Sequence, residues 1–459
     1  MDRNNVDFLR RMLERFPGLR RRLRLRPYPG LKSQGRWKRL AAAFPAAGGV
    51  GLLLRDGSRT VLAADRNARR RERFEQEVSR LAARLLNPWR PQRTLSRTDR
   101  LRSHTSGVVR ILLTHSGGAE GLALAARPDS QASYQARLLS SAALWWSQRR
   151  DGGHRPRKLF LFIPCEWGLR IIEILPHLAL PVQCWHYQSA PGPRACSLSG
   201  RPIYPSVFLR AALSHPYVMH PFRRHPPPPL LDLQRRHPRL DLFFRRSRWE
   251  LSWRGYRVAW QDSAQPVRFG EEPGRPWEAS QARRLSAFLG RLERLRRFPP
   301  PSPSSPFYRR HPERWMESLL LKRPRLIHPD LQGEVYCQVP TCLETDRAVV
   351  DALGRLGDGR LAVIEFKVEK DFNLLFQGLD YWDRVRRHLG RGDFQQCGYF
   401  AGRRLSPQSP LLILVAPLFE FHRLLPLLRG YLTREVEILC VGLNQDWRRR
   451  LRIVRRIEL

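Results

Sequence analysis

The chain has 459 residues, of which 42% are hydrophobic, so it can bury sizeable cores and form two or three domains. Its 83 basic residues exceed its 41 acidic residues by 42; this excess favours nucleic acid as partner over an acidic membrane surface, although nearly all the basic residues are arginine, which a GC-rich genome would also produce. Neither a secretory signal nor an apolar run of membrane-spanning length is present, so we expect a cytoplasmic protein without a membrane partner.

The first part of the chain divides into a basic segment, residues 1–47, and an α/β unit, residues 48–187. Apolar runs in this unit alternate with segments of helical periodicity, which is typical of α/β layer architectures. The predicted order is hairpin, helix, two strands around a Gly-rich turn, helix, strand, helix and strand, at 50–64, 71–86, 108–126, 133–150, 158–164, 168–178 and 181–187.

Residues 188–306 differ from both flanks because proline clusters in them, at 225–230 and 299–306. Proline removes backbone donors, so we expect a Pro-rich linker with extended stretches. Between the clusters, residues 248–261 are predicted as a small hairpin and residues 277–297 as a basic helix. The hairpin alternates aromatic and arginine side chains, which can stack on bases, although a small sheet with one packed face explains the pattern equally well.

A second α/β unit, residues 307–459, contains an apolar hairpin that is interrupted by charges. Two runs of strand length flank a tight-turn signal at 357–359. Asp351 lies in the first strand, and Glu365 and Lys367 lie two apart, and therefore on one face, in the second. Burying such charges is costly unless they pair with one another or bind a metal ion.

Two carboxylates beside a lysine suit phosphodiester hydrolysis. Asp351 and Glu365 form a natural ligand pair for Mg²⁺, which offsets charge on a phosphate and keeps several waters. Lys367 would orient or help to deprotonate the attacking water, or stabilise developing negative charge. A lysine at this position of an arginine-rich chain favours a catalytic role, because lysine shifts its pKa readily and arginine does not release a proton at neutral pH. A buried salt-bridge cluster is the alternative interpretation.

Asp351, followed after a hairpin turn by Glu365-Phe366-Lys367, resembles the core of the PD-(D/E)XK nuclease superfamily. That resemblance implies a restriction-endonuclease-like αβββαβ core and a Mg²⁺-dependent endodeoxyribonuclease, with Mn²⁺ as an alternative metal. Asp351 and Glu365 would ligate the metal beside the backbone carbonyl of Phe366, and Lys367 would position the attacking water. The sequence departs from the pattern at Val350, because a proline often precedes the aspartate.

Two further features extend the resemblance over residues 307–420. Gln377 and Tyr381 match the Q-x-x-x-Y helix motif of the RecB-like branch, and would contact DNA or orient the site; ordinary helix packing is the alternative. Glu317 lies in a predicted helix where many members carry a glutamate near the metal, so it would support the metal shell unless it faces solvent. Asp383, later on the Gln377 helix, is expected to be a surface charge.

The first unit matches parts of the second in order when the second is shifted back by 241 positions, and this predicts an internal duplication. Arg110 falls on Asp351, and Leu124 or Ala125 falls on Glu365, so no carboxylate pair can be rebuilt there. The N-terminal copy would be a degenerate nuclease fold that binds DNA or forms an intramolecular dimer. Two generic βα units would give a similar pattern.

The function remains open between three classes: a DNA nuclease of repair or defence, a catalytically silent nucleic-acid-binding protein with the same fold, and a basic structural protein that recruits partners. No phosphate-binding loop of an NTPase occurs, so any helicase or repair partner would be a separate chain. The seven cysteines lack the paired spacing of a zinc site, and we expect mostly buried free thiols in a reducing cytosol. Oligomeric state is left open.

Overall fold

A computed structural model describes residues 9, 23–24, 30–33, 36–46, 49–54, 59–63, 66–95, 108–127, 134–165, 170–189, 198–203, 218–262, 265–271, 273–342 and 347–459. Much of the basic segment 1–47 and the turn of the first predicted hairpin lie outside the described residues. The helices are α1 Arg66–Leu85, α2 Tyr134–Asp151, α3 Arg170–Ile174, α4 Pro228–Arg236, α5 Ala282–Leu295, α6 Pro306–Arg309, α7 Pro312–Leu320, α8 Leu374–Gly390, α9 Asp393–Gln396 and α10 Leu425–Arg429. The strands are β1 Leu23–Arg24, β2 Gly30–Ser33, β3 Arg36–Ala46, β4 Gly49–Leu54, β5 Arg59–Ala63, β6 Trp89–Leu95, β7 Val108–His115, β8 Glu120–Ala126, β9 Lys158–Pro164, β10 Val182–Ser189, β11 Leu198–Ile203, β12 Val218–Met219, β13 Asp241–Arg245, β14 Arg248–Trp253, β15 Tyr256–Gln261, β16 Arg268–Phe269, β17 Arg275–Pro276, β18 Gln332–Cys342, β19 Arg347–Arg355, β20 Leu361–Phe366, β21 Leu411–Pro417, β22 Ile438–Leu443 and β23 Ile453–Glu458.

The fold is mixed α/β, as the sequence predicts, and its described strands form four sheets. The first five strands make an antiparallel sheet in chain order. The next six form a sheet of order β11-β10-β9-β8-β7-β6, in which β8-β9 and β9-β10 are parallel pairs and the others antiparallel. Because their periodicity is strong, the predicted strands and helices of residues 108–187 are observed within two residues of their expected ends, except that the helix expected at 168–178 ends at Ile174.

The seven-stranded sheet of the C-terminal unit repeats the connection pattern of the six-stranded sheet. Its order is β12-β18-β19-β20-β21-β22-β23, with β20-β21 and β21-β22 parallel and the other pairs antiparallel. A long helix, α8, links the first parallel pair here, and α2 links the corresponding pair in the first unit. A helix also precedes each sheet, α1 in the first unit and α7 in the second. The six strands from β18 to β23 therefore match β6 to β11 in order and direction.

The two units share a hydrophobic core in which α2 packs against α8. Leu138 and Trp145 of α2 and Leu379 and Trp382 of α8 belong to this core and are buried. The units also join through main-chain atoms, since the amide of Ala179 donates to the carbonyl of Tyr431 at 2.8 Å. Helix-on-helix burial of this kind ties the two sheets into one body.

A buried charge network reinforces the contact between the units. Nη1 of Arg170 lies 2.7 Å from Oε2 of Glu173 and 2.8 Å from Oδ2 of Asp383. Burial opposes the ionisation of Asp383, but Arg170, His177 and Arg387 together outweigh it and hold the pKa of this carboxyl well below its usual value. The prediction that Asp383 is a surface charge is wrong: its side chain is fully buried, because the first unit supplies the arginine that pairs with it.

The described residues from 220 to 306 form a folded layer between the units, which corrects the expectation of extended stretches there. It contains the antiparallel sheet β13-β14-β15-β16-β17, and the predicted hairpin and helix are present as β14–β15 and α5. The sheet and the helices α4 and α5 enclose a core of their own that includes Leu233, Leu251 and Leu289. A high proline content does not exclude folded structure here, because Pro228 occupies the first turn of α4, where the missing amide of proline costs no hydrogen bond.

Among the described residues, no helix combines the length and apolar character needed to cross a bilayer. The described cysteines form no disulfide; Cys184, Cys337 and Cys440 are buried, and Cys165 is exposed.

Candidate active site

The hairpin of β19 and β20 brings Asp351 next to Glu365. Its regular ladder runs from Arg355–Leu361 to Ala352–Ile364 and ends there. At the next position, Oδ2 of Asp351 accepts a hydrogen bond from the amide of Phe366 at 3.1 Å. The aspartate side chain thus replaces a main-chain acceptor at the end of the ladder, which fixes its carboxylate beside the second strand.

Glu365 is 1% exposed in the middle of the sheet, and its carboxyl group interacts with the other two charged side chains of the site, Asp351 and Lys367. Burial, and then the negative charge of Asp351, raise the pKa of Glu365 well above its usual value. Two acidic groups beside a single lysine, one of them fully buried, cost stability, so their retention needs an explanation beyond stability.

Lys367 is the cation closest to this carboxyl among the described residues. Its Nζ lies 3.2 Å from Oε1 of Glu365, and its side chain is 21% exposed. Burial lowers the pKa of Lys367, but Glu365 and Asp351 outweigh it and the net shift is upward. The ammonium therefore stays protonated at neutral pH and acts as a hydrogen-bond donor.

Gln377 and Tyr381 occupy one face of α8, and Nε2 of Gln377 donates to the hydroxyl of Tyr381 at 3.1 Å. Burial, and then the charge of Glu365, raise the pKa of Tyr381 well above its usual value. The tyrosine is therefore within electrostatic reach of the carboxylate pair and remains a neutral phenol. The helix packs against β20, so the motif lies beside the hairpin, and the role of Gln377 and Tyr381 in contacting DNA or orienting the site stays a prediction.

Glu317 lies on α7 and is fully buried, so the alternative of a solvated helix face is wrong. Its Oε1 lies 2.9 Å from Nη1 of Arg245, at the end of β13 in the middle layer. Burial raises the pKa of Glu317 to about 7, Arg245 acts against the shift, and Asp351 adds to it. The glutamate is near the site, but its carboxylate already has a cationic partner.

Sequence reasoning missed two residues that hold this arrangement. Gln338 donates from Nε2 to Oδ1 of Asp351 at 2.9 Å, and it has a φ of 49°, an uncommon value for a residue with a side chain. Its carbonyl accepts the amide of Arg246 at 3.2 Å, so the β13–β14 turn abuts the site. Arg245 is 1% exposed, and Glu317 and Glu250 raise its pKa despite its burial. The sequence signal for Gln338 is a polar glutamine within the otherwise apolar run of β18. No sequence signal marks Arg245.

The donor set fits a hard divalent cation with few protein ligands. Within the described residues, no group of three histidine, cysteine, aspartate or glutamate side chains is arranged to hold a metal ion. The pair Asp351 and Glu365 remains, and carboxylate oxygens are of the type that Mg²⁺ prefers when water completes the shell.

The corresponding place in the first unit is closed. Arg110 pairs in register with Leu124, as Asp351 stands opposite Glu365 in the second unit. Arg110 is 4% exposed and its guanidinium lies 5.6 Å from the ring centre of Trp145. Leu124 and Ala126 are buried, and neither offers a metal ligand because their side chains are hydrocarbon.

No protein-family model, curated protein or solved structure matches this chain.

Proposed function

We propose that the chain is a metal-dependent nuclease that hydrolyses DNA phosphodiester bonds at the β19–β20 hairpin. The observation that carries the proposal is the largely buried cluster of Glu365, Asp351 and Lys367, in which two acidic groups share one lysine. A salt-bridge cluster built for stability would pair each acidic group with a cation of its own. The net charge of +42 suits a polyanionic substrate.

Asp351 and Glu365 are the side chains that would hold Mg²⁺ or Mn²⁺. When bound, the cation offsets the charge that develops on the phosphate. Lys367 keeps its proton, so it orients the attacking water by donating a hydrogen bond and stabilises negative charge instead of accepting a proton. Tyr381 is a neutral donor on the facing helix and supports the same pocket.

We propose further that the C-terminal unit has the restriction-endonuclease-like core and that the N-terminal unit is its inactive copy. Support comes from the shared order and direction of six strands and from the long helix that links the first parallel pair in each unit. The apolar Leu124 in place of Glu365 explains why the first unit would lack activity. Packing of α2 against α8 then makes the molecule an intramolecular pair of like folds.

Nicking of supercoiled plasmid tests the activity. Wild-type protein with Mg²⁺ or Mn²⁺ should nick the plasmid, and Lys367→Ala and Asp351→Ala should each lower the rate about 100-fold or more. Lys158→Ala and Asp330→Asn, which change exposed residues elsewhere, are the matched controls and should retain the wild-type rate. Both site variants should bind DNA as wild type does in EDTA.

Three outcomes discriminate between the classes of function. Cleavage that survives both site substitutions would remove the assignment of this hairpin. Binding without cleavage under either metal would instead identify a silent nucleic-acid-binding protein. An affinity for DNA that does not fall with rising salt would argue against phosphate contacts and favour the partner-recruiting protein.

A further inference from the structure

A polar cavity of about 290 Å³ lies where β18 begins and β19 ends, away from the carboxylate pair. It is lined by Arg224, Gln332, Gly333, Glu334, Tyr336, Arg355, Phe400, Ala401 and Arg403. Arg355 is four residues from Asp351 on β19, so the two places are separated by about 13 Å at the usual rise of a strand. The cavity is therefore distinct from the carboxylate pair.

Three arginines line this cavity: Arg224, Arg355 and Arg403. Among the described residues, no carboxylate lies within ion-pair distance of any of them, and Arg355 uses its Nε to donate to the carbonyl of Arg404 at 3.1 Å. Like charges collected around one small space repel each other, and an anion between them would relieve the repulsion.

The remaining lining holds the cavity in shape. The hydroxyl of Tyr336 donates to Oε2 of Glu334 at 3.0 Å and accepts the amide of Phe400 at 2.9 Å. Tyr336 and Phe400 pack edge to face with ring centres 4.8 Å apart, and both are at least nine-tenths buried. The one acidic group of the lining is thus engaged by a phenol, and burial raises the pKa of Tyr336 to about 12, so this donor stays neutral.

We infer that this cavity binds a phosphate group carried by a single nucleotide. Guanidinium groups match phosphate oxygens geometrically, and a terminal phosphate offers close to two negative charges and three acceptor oxygens to the three arginines. The volume is at the lower end of the range for small-molecule sites, which admits a phosphate with its sugar and excludes a duplex. A free mononucleotide and the phosphorylated end of a strand present the same chemistry.

Binding of a nucleoside 5′-monophosphate, measured by titration calorimetry in EDTA, tests the inference without involving cleavage. Wild-type protein should bind it saturably, inorganic phosphate should compete, and the unphosphorylated nucleoside should not bind. The variant Arg224→Gln/Arg403→Gln should lower the affinity at least about tenfold, because it removes two charge-assisted contacts. The variant Arg423→Gln/Arg434→Gln loses the same charge from exposed positions outside the cavity and should bind as wild type does.

Oligonucleotides with a 5′-phosphate or a 5′-hydroxyl identify the source of the ligand. Competition by the phosphorylated strand alone supports recognition of a strand end, and binding of the mononucleotide without such competition supports a free nucleotide. The inference is overturned if wild type shows no saturable binding, if the nucleoside binds as tightly as its monophosphate, or if both double variants behave alike. Because no metal or cleavage enters the measurement, its failure leaves the nuclease proposal untouched.

Discussion

The two α/β units have six strands in the same order and direction, but the side chains at one corresponding position of the sheet are apolar in the first unit and acidic in the second. In the first unit, Leu124 and Ala126 fill it with apolar side chains. In the second, Glu365 is buried there beside Asp351, and Nζ of Lys367 lies 3.2 Å from its Oε1. The sheet thus tolerates either solution, and the second costs stability that a purely structural role would not require.

The largest effect is expected when a glutamate is placed in the first unit at the position that corresponds to Glu365. In the background Arg110→Leu, which removes the cation that pairs opposite this position, Leu124→Glu buries a carboxyl at a position that is 0% exposed, among apolar neighbours and without Asp351 or Lys367. We expect the free energy of unfolding to fall by about 4–5 kcal/mol, measured by urea denaturation. Ser116→Glu, in the exposed turn of the same hairpin, should change it by less than about 0.5 kcal/mol. Equal effects of the two variants would contradict the comparison.

A second test concerns the cation that the active-site unit needs. Arg245→Met removes the cation paired with Glu317 and leaves Glu250 with Arg314 alone, at 3.9 Å, and we expect a loss of about 3–5 kcal/mol in the same measurement. Arg248→Met is the control, because its ion pair with Asp262 is half-exposed and contributes less than about 1 kcal/mol. A small effect of Arg245→Met would show that Glu317 is neutral or reaches water.

Gln338 offers a smaller and more local test, which rests on the proposed metal site. Gln338→Ala removes the donor that holds Oδ1 of Asp351, so Mn²⁺ affinity should fall about 10-fold to 100-fold, measured by calorimetry. Gln408→Ala, a change of the same kind at an exposed position, should leave the affinity unchanged. Unchanged metal affinity in both variants would mean that Gln338 supports the strand and not the carboxylate.

The smallest expected effect is on the pH dependence of stability. Because the pKa of Glu365 is raised on folding, the folded protein keeps a proton that the unfolded chain releases near its ordinary value of 4.5. Stability from this group is therefore complete below that value and is lost as pH rises toward the raised pKa. In EDTA, the free energy of unfolding of Glu365→Gln should rise relative to that of wild type by about 1 kcal/mol between pH 5 and 8, as measured by urea unfolding. Exposed Glu369→Gln should show no such trend, and a gain independent of pH would refute the cause.

The sequence by itself determined the elements that depend on local periodicity. The apolar runs around 357–359 define the hairpin, a spacing of two places Glu365 and Lys367 on one face, and a spacing of four lets Gln377 donate to Tyr381. Each of these relations lies within one hairpin or one helix, where geometry is fixed by the chain itself.

Tertiary structure alone decided which distant groups meet these residues. The middle layer, hidden by its prolines, supplies Arg245 to Glu317, and the first unit supplies Arg170 to Asp383. The left-handed conformation of Gln338 and the arginine cavity arise where several segments converge. The two ion pairs join residues that are 72 and 213 positions apart, so they depend on how sheets and helices pack and produce no local periodicity in the sequence.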